Sequence, residues 1–241
     1  MIPKIIHYCW FGRGEKPALA KKCIASWRKF CPDFEIREWN EDTYDVCLLY
    51  TSDAADKYCC DNKKWAFLSD YARLDIIAQF GGIYLDTDVE LIRSLEELLK
   101  YPAFYGFEND SYVATGLGFG AEAGHPTVKA LRDEYTRLSS DDGSLALIGC
   151  PTLNTNALQT LGLVRNGLRQ SVLGAEILPS EFLNPYDDAT GDLRITSNTF
   201  SIHWYAKSAL SMSARIRSRL TRPFHKVFGK DCFQIIKRHK K

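Results

Sequence analysis

The stretch from Lys63 to Glu90, KKWAFLSDYARLDIIAQFGGIYLDTDVE, constrains this chain more than any other. Leu68, Ala72, Ile76 and Phe80 recur at helical spacing on one stripe, and Phe67, Tyr71, Leu74 and Ala78 on a second. The pattern predicts a helix that Gly81-Gly82 ends, because glycine enters the left-handed cap conformation without strain. Ile83-Tyr84-Leu85 is too short for a helix and suits a buried strand. Asp86-Thr87-Asp88 follows at once, and alternation along a strand would put both carboxylates on one side with Thr87 opposite. Two carboxylates so close repel unless protons or a cation neutralise them. The fitting cation is hard and oxygen-seeking, Mg2+ or Mn2+, which joins carboxylates to substrate phosphates. Asp70 and Arg73 are three apart and share a face of the helix. They form either a surface ion pair or part of the same pocket, since the Gly-Gly turn folds the helix back on the strand.

At 241 residues the chain suits one domain with a helical appendage and buries a sizeable core. No run has the apolar length of a membrane-spanning helix, and MIPKIIHYCWFG enters a strand pattern directly, without the marks of a signal peptide. Eight cysteines scattered through a chain of this size, with no Cys-x-x-Cys spacing, point to reduced thiols in a cytoplasm and against zinc. The net charge of +1 hides an asymmetry. Residues 207–241 carry eleven Lys/Arg and one acid, which leaves twenty basic and twenty-nine acidic side chains in residues 1–206. Leu210, Met212, Ile216, Leu220 and Phe224 lie near one helical face of this basic segment. It either lies on an anionic membrane surface or docks its apolar side on the acidic domain with the basic face solvated. No recognition motif for nucleic acid accompanies the charge.

In chain order, Ile2 to Phe11 reads as a first buried strand, with His7, Trp10 and Phe11 at or near the end where open α/β sheets bind ligands. A helix over 17–30 and a strand from Pro32 to Trp39 follow. Leu91 to Tyr101 reads as a helix with a capping box, Ser94 and Glu97. Phe104 to Phe107 is a further strand, and Glu108-Asn109-Asp110 ends it at a strand-to-loop junction, where it reads either as a ligand contact or, for Asp110 above all, as a solvated turn. Thr127 to Leu138 is helical. The TGLGFGAEAGHP stretch carries four glycines but lacks the strand-before, helix-after context of a dinucleotide loop.

A helix bearing SDYAR, then GGIY, then LDTD resembles the Asp-x-Asp sugar-binding region of glycosyltransferases of family 32 and, more distantly, the glucosylating domains of large clostridial toxins. The segments PKIIHYCWFG, PDFEIREW, GCPT and ILPSEFLNP are similar to further parts of that family. The resemblance implies an α/β fold of the GT-A type over residues 1–206, a mixed, mostly parallel sheet flanked by helices, with a basic helical C-terminal tail over 207–241. It implies transfer of a sugar from a nucleotide-sugar donor, UDP by preference, to a hydroxyl of a saccharide or lipid-linked saccharide. Retention of configuration and a place in bacterial surface polysaccharide synthesis come with it, in the cytoplasm or peripherally on the membrane's inner face. Asp86, Asp88 and His203 would hold Mn2+ or Mg2+, and Asp70 and Arg73 would hold the sugar or phosphate. His7, Trp10, Tyr84, Asn109 and Ser208 would complete the donor site. The family's ending is His-x-x-x-x-Ser-Trp; here His203 and Ser208 match, while Ala209 stands in the tryptophan's place and leaves Lys207 to supply charge there. The rival readings are an aspartyl-phosphate-type phosphatase, with the first Asp as nucleophile, and a non-catalytic sugar-nucleotide-binding protein.

Overall fold

The computed structural model describes residues 1–44, 65–136, 148–207, 211–229 and 232, with the side chains of Ala66 and Phe67 excepted. Ser208, Ala209 and Leu210, the Phe67 side chain, and Cys47, Cys59 and Cys60 therefore lie outside the described residues. The chain opens with β1 (Ile5–Cys9), α1 (Ala18–Phe30) and β2 (Glu35–Trp39). The SDYAR segment lies on α2 (Trp65–Phe80), followed by β3 (Gly82–Tyr84) and β4 (Val89–Leu91). Then come β5 (Ala103–Asn109), β6 (Tyr112–Val113), β7 (Phe119–Ala121), α3 (Pro126–Thr136) and α4 (Cys150–Thr160). The last elements are β8 (Gln170–Val172), β9 (Ala175–Leu178), α5 (Ser180–Leu183), β10 (Ser201–His203) and α6 (Met212–Phe228).

The main sheet has the order β2-β1-β3-β7-β5-β9-β8, with β6 added on β5. β1, β2, β3, β5 and β9 run one way and β6, β7 and β8 the other, so the sheet is mixed and mostly parallel. Alternation along each strand splits its side chains between two cores. Ile6 and Tyr8 join Cys23, Ile24 and Trp27 of α1 on one face, and Cys9 joins Leu68, Leu74 and Ile77 of α2 on the other. On β5, Phe104 goes to the first core, while Tyr105 and Phe107 go to the second, under α3 and α4. Helices cover both faces, and the parallel ends of β1 and β3 lie side by side, His7 opposite Tyr84.

The Gly-Gly stop is as the sequence implies. Gly81 and Gly82 take φ of +64° and +102°, and a Cβ on Gly82 would stand 2.8 Å from the Ile5 carbonyl. Only glycine lets α2 end here and its chain return against β1. The expected helix over Leu91–Tyr101 is corrected: Leu91 ends β4, and only Glu96–Lys100 coil, as a 3-10 turn. Ser94 Oγ accepts the Glu96 N–H (3.2 Å), but Glu97 turns to Arg93 (2.6 Å) and does not close a capping box. Pairing with β10, which sets Ser201 opposite Leu91, takes the backbone that a helix would have used.

His7 is also corrected, from donor contact to packing residue. It has no exposed surface; Nε2 bonds the Gly81 carbonyl (3.0 Å) and Nδ1 accepts from Trp39 Nε1 (3.0 Å). Burial lowers its pKa to about 4, with the Gly81 bond opposing. Between about pH 4 and 6.5 the unfolded chain binds the proton that the folded chain refuses, so stability is lost as pH falls through this window. Urea titrations at pH 7 and 4.5 should show a loss of about 2 kcal/mol from this group. His7→Gln, less stable at neutral pH, should lack that part of the slope; an unchanged slope would contradict it.

Candidate active site and metal centre

β3 stops at Tyr84, so strand alternation does not orient the two acids; a turn does. The Val89 N–H donates to the Asp86 carbonyl (3.0 Å), closing Asp86–Val89 as a tight turn that brings both carboxylates to one side. β10 pairs antiparallel with β4 and sets His203 opposite Val89, while the Trp204 N–H donates to the Asp88 carbonyl (3.0 Å). Asp86, Asp88 and His203 can each offer one ligand atom, and these atoms lie within 4.8 Å of one another. Asp88 Oδ1 is 3.2 Å from His203 Nε2, and its Oδ2 accepts the Ala206 N–H (2.7 Å). Burial pushes the Asp88 carboxyl up, but the imidazole and the backbone N–H outweigh it and hold the pKa below the usual range. Burial pushes His203 down; the Asp88 carboxylate more than reverses this, and its pKa is raised.

Behind the acids lies Arg73, buried on α2. Its Nη2 is 2.8 Å from Asp70 Oδ1 and 3.0 Å from Asp86 Oδ1. Nε donates to the Ser69 carbonyl (3.2 Å), Nη1 to Thr115 Oγ1 (3.4 Å), and the guanidinium lies 5.0 Å over the Tyr84 ring. Fixed on every side, this cation orients both carboxylates. It does not neutralise the site. Three carboxylates face one guanidinium and one imidazole, and burial raises the pKa of Asp86 and lifts that of Asp70 to about 6, with Arg73 opposing in each. The surplus negative charge, two carboxylates with an imidazole, and a buried His203 Nδ1 without a hydrogen-bond partner together fit a divalent cation.

The glycine-rich TGLGFG segment passes across this cluster. A Cβ on Gly116 would meet Asp86 Oδ2 at 2.7 Å and Arg73 Nη1 at 3.2 Å, so the close approach requires glycine. Thr115 Oγ1 also accepts from Asn154 Nδ2 (3.0 Å), and Cys150 Sγ lies 3.8 Å from Arg73 Nη1. Neither Thr115 nor Asn154 stands out in the sequence, and Cys150 does so only as part of the GCPT segment. Their one signal is Cys150 and Asn154 at i,i+4 on α4, a polar pair on an otherwise apolar face. On the opposite side Tyr205, at φ +49°, places its ring 4.2 Å from His203 and donates to Glu108 Oε1 (3.2 Å), while Asn184 Nδ2 reaches the Tyr205 oxygen (2.8 Å).

The other expected donor contacts divide. Trp10 is half-buried at the end of β1, donates to the Gly14 carbonyl (2.7 Å), and lines a recess of about 200 Å³ with Lys16 and Asn40. Tyr84 is buried beneath Arg73, a support rather than a wall of the pocket. Asn109 is exposed, and its Oδ1 accepts the N–H groups of Ser111 (2.9 Å) and Tyr112 (3.2 Å), which makes it a turn residue. Lys207 does not reach the acids: its ammonium pairs with Asp188 (2.5 Å) and donates to Ser218.

Residues 17–105, which contain α1, α2 and the Asp-x-Asp turn, match the family described as "Glycosyltransferase sugar-binding region containing DXD motif". That segment is thus similar to the DXD region of glycosyltransferases. Among known relatives, inositol phosphoceramide mannosyltransferase 3 of Schizosaccharomyces pombe is 29% identical over 141 residues, which is 52% of this chain and 35% of that protein. The chain thus spans about a third of the length of the curated relative it matches. Among solved structures, the PaToxG glycosyltransferase superposes with a TM-score of 0.51 at 18% identity, over 66% of this chain and 68% of its own. The fold is accordingly the GT-A type, and the DXD region lies at its heart.

From across the cluster, Gly116→Ala should push Asp86 from its place. We expect Mn2+ affinity, read by electron paramagnetic resonance, to fall about 10–100-fold, with a melting transition that remains cooperative. Unchanged affinity would show that Gly116 does not set the position of Asp86.

Proposed function

We propose that this chain is a metal-dependent glycosyltransferase that moves a sugar from a nucleotide-sugar donor to a hydroxyl of a saccharide. The observation that carries the reading is the convergence of His203 on Asp86, Asp88 and the Asp70–Arg73 pair, the last four lying in the segment similar to a DXD sugar-binding region. Asp88 and His203 would hold the ion, with Asp86 contributing directly or through water. The bound ion would neutralise the departing diphosphate as the glycosidic bond breaks. The mixed carboxylate–imidazole set favours Mn2+ over Mg2+. A UDP-sugar is the donor we expect, as in the family at large.

Asp70 would accept hydrogen bonds from sugar hydroxyls through the carboxylate edge that Arg73 leaves open. Arg73 would hold the sugar or a phosphate oxygen without giving up Asp86. The site's carboxylates are otherwise engaged: Asp70 and Asp86 by Arg73, Asp88 by His203, and Glu108 by Tyr205. That leaves no ready nucleophile for a double displacement and supports transfer on the donor's front face, with retention. The same pairing disfavours an aspartyl-phosphate phosphatase, whose first Asp must be free to attack. The fission-yeast relative's name gives it an acceptor on a lipid, which supports a lipid-linked saccharide acceptor here. We infer a role in bacterial surface polysaccharide synthesis, with the enzyme in the cytoplasm at the membrane's inner face.

A panel of nucleotide sugars with Mn2+, scored for donor hydrolysis and transfer, tests the reading. Asp88→Ala should abolish Mn2+-dependent hydrolysis; hydrolysis and binding equal to wild type would refute the metal role. Asp70→Asn should lower turnover about 100-fold while keeping or raising the melting temperature. The sign follows from the raised pKa: as pH climbs through about 4 to 6, the folded state must give up a proton it prefers to keep, and stability falls. An amide removes that penalty, so a variant that is both active and less stable would contradict the assignment.

A further inference from the structure

α6 sits on the protein the wrong way round for a helix held by its apolar face. Arg222 Nη2 pairs with Asp188 Oδ1 (2.9 Å) and its Nε donates to the Asp188 carbonyl (3.1 Å). Lys226 Nζ pairs with Asp192 (2.6 Å), and Ser218 receives Lys207, whose ammonium also meets Asp188. The polar side therefore faces the domain. Met212, Ile216, Leu220 and Val227 are exposed by 72, 52, 68 and 72%, and no residue of the helix is buried. Spaced by four, four and seven, they form one stripe along a helix about 25 Å long. Arg217 and Arg219, both exposed, flank the stripe on its two sides.

We propose that this outward stripe docks on an anionic lipid bilayer, lying in the plane of the interface with Arg217 and Arg219 at the headgroups. An apolar stripe turned to water is unfavourable unless something covers it. Charge decides what covers it. A second copy meeting the stripe about a two-fold axis would bring like cations against like along both flanks. Anionic headgroups neutralise them, each cation adding about 1 kcal/mol near such a surface. Lys230, Lys237, Arg238, Lys240 and Lys241, which follow in sequence, add to the same charge. α6 is too polar to span: among the described residues, no helix is long and apolar enough to cross a membrane.

The acidic seat has a consequence for catalysis. Asp188 and Asp192 take up the inward cations and so aim the stripe outward, while Ala206, just ahead of α6, holds Asp88 by its N–H. The helix thus holds the metal site close to the bilayer surface, where a lipid-linked acceptor would lie; this part rests on the transferase reading above.

Co-sedimentation of the full chain with vesicles of phosphatidylcholine alone, or with phosphatidylglycerol added, tests the proposal. Wild type should sediment with the anionic vesicles and far less with the neutral ones. The double variant Ile216→Glu, Leu220→Glu should lower partitioning about tenfold or more, and Arg217→Gln, Arg219→Gln by several-fold. A melting curve like that of wild type would show that the domain is intact in each. Absence of vesicle binding by wild type, or equal binding by the Glu variant, overturns the proposal. So does a concentration-dependent dimer that the Glu variant abolishes while neither protein binds vesicles, which would make a second copy the occupant. Donor hydrolysis in vesicle-free buffer should be unchanged in every variant. Wild type that hydrolyses donor without binding anionic vesicles therefore counts against the stripe alone, and absent hydrolysis in wild type against the transferase reading alone.

Discussion

Arg73 is buried together with its charge, and the rest of the site is arranged around that fact. Burying an unpaired cation costs several kcal/mol, and here Asp70, Asp86, the Ser69 carbonyl and Thr115 offset it from four directions. The geometry that satisfies the guanidinium is also the geometry that aims the carboxylates. Because Asp70 and Arg73 are three apart on α2 and Asp86 follows the Gly-Gly return, one helix and one turn deliver the guanidinium and the three carboxylates. The arrangement leaves surplus negative charge, and that surplus is what a divalent ion and a diphosphate-bearing donor would use.

Topology supplies the rest. The parallel pairing of β1 with β3 brings the end of the first strand next to the Asp-x-Asp turn, so Trp10 and Asp86 come from neighbouring strand ends. A small two-stranded sheet does the complementary task from the far end of the chain. β10 lies against β4, and His203 reaches Asp88 across more than a hundred residues of sequence. The segment that follows caps Asp88 through Ala206 and then turns into α6. The acid cluster's cap at Ala206 and the start of the C-terminal helix at Met212 are thus only six residues apart in sequence.

Much of this is legible in the sequence because it is local. The stripes of α2, the glycine stop, the alternation of β1 and the basic, amphipathic nature of residues 207–241 all follow from spacing. Where spacing misleads, a distant partner is the reason. Ser94 and Glu97 spell a capping box, but β10 claims the backbone before it. Strand alternation predicts the right convergence of Asp86 and Asp88 for the wrong reason, since a turn produces it. His7 stands beside ligand-binding positions in sequence, yet Trp39 and Gly81 occupy both its nitrogens. Amphipathicity names the two faces of α6 but not which one meets the protein; Asp188 and Asp192, folded next to it, decide that. Thr115, Cys150 and Asn154 join the site only because the Thr115–Leu117 turn and the start of α4 come up to Arg73 from far along the chain, which no local pattern announces.

The most direct test is to locate the ion. Crystals soaked with Mn2+ and UDP, measured at the manganese absorption edge, should give an anomalous peak within about 2.5 Å of ligand atoms of Asp88 and His203, with diphosphate density on its open side and Arg73 still bound to Asp70 and Asp86. A well-ordered nucleotide with no manganese peak at that cluster, or a peak bound elsewhere, would contradict the account.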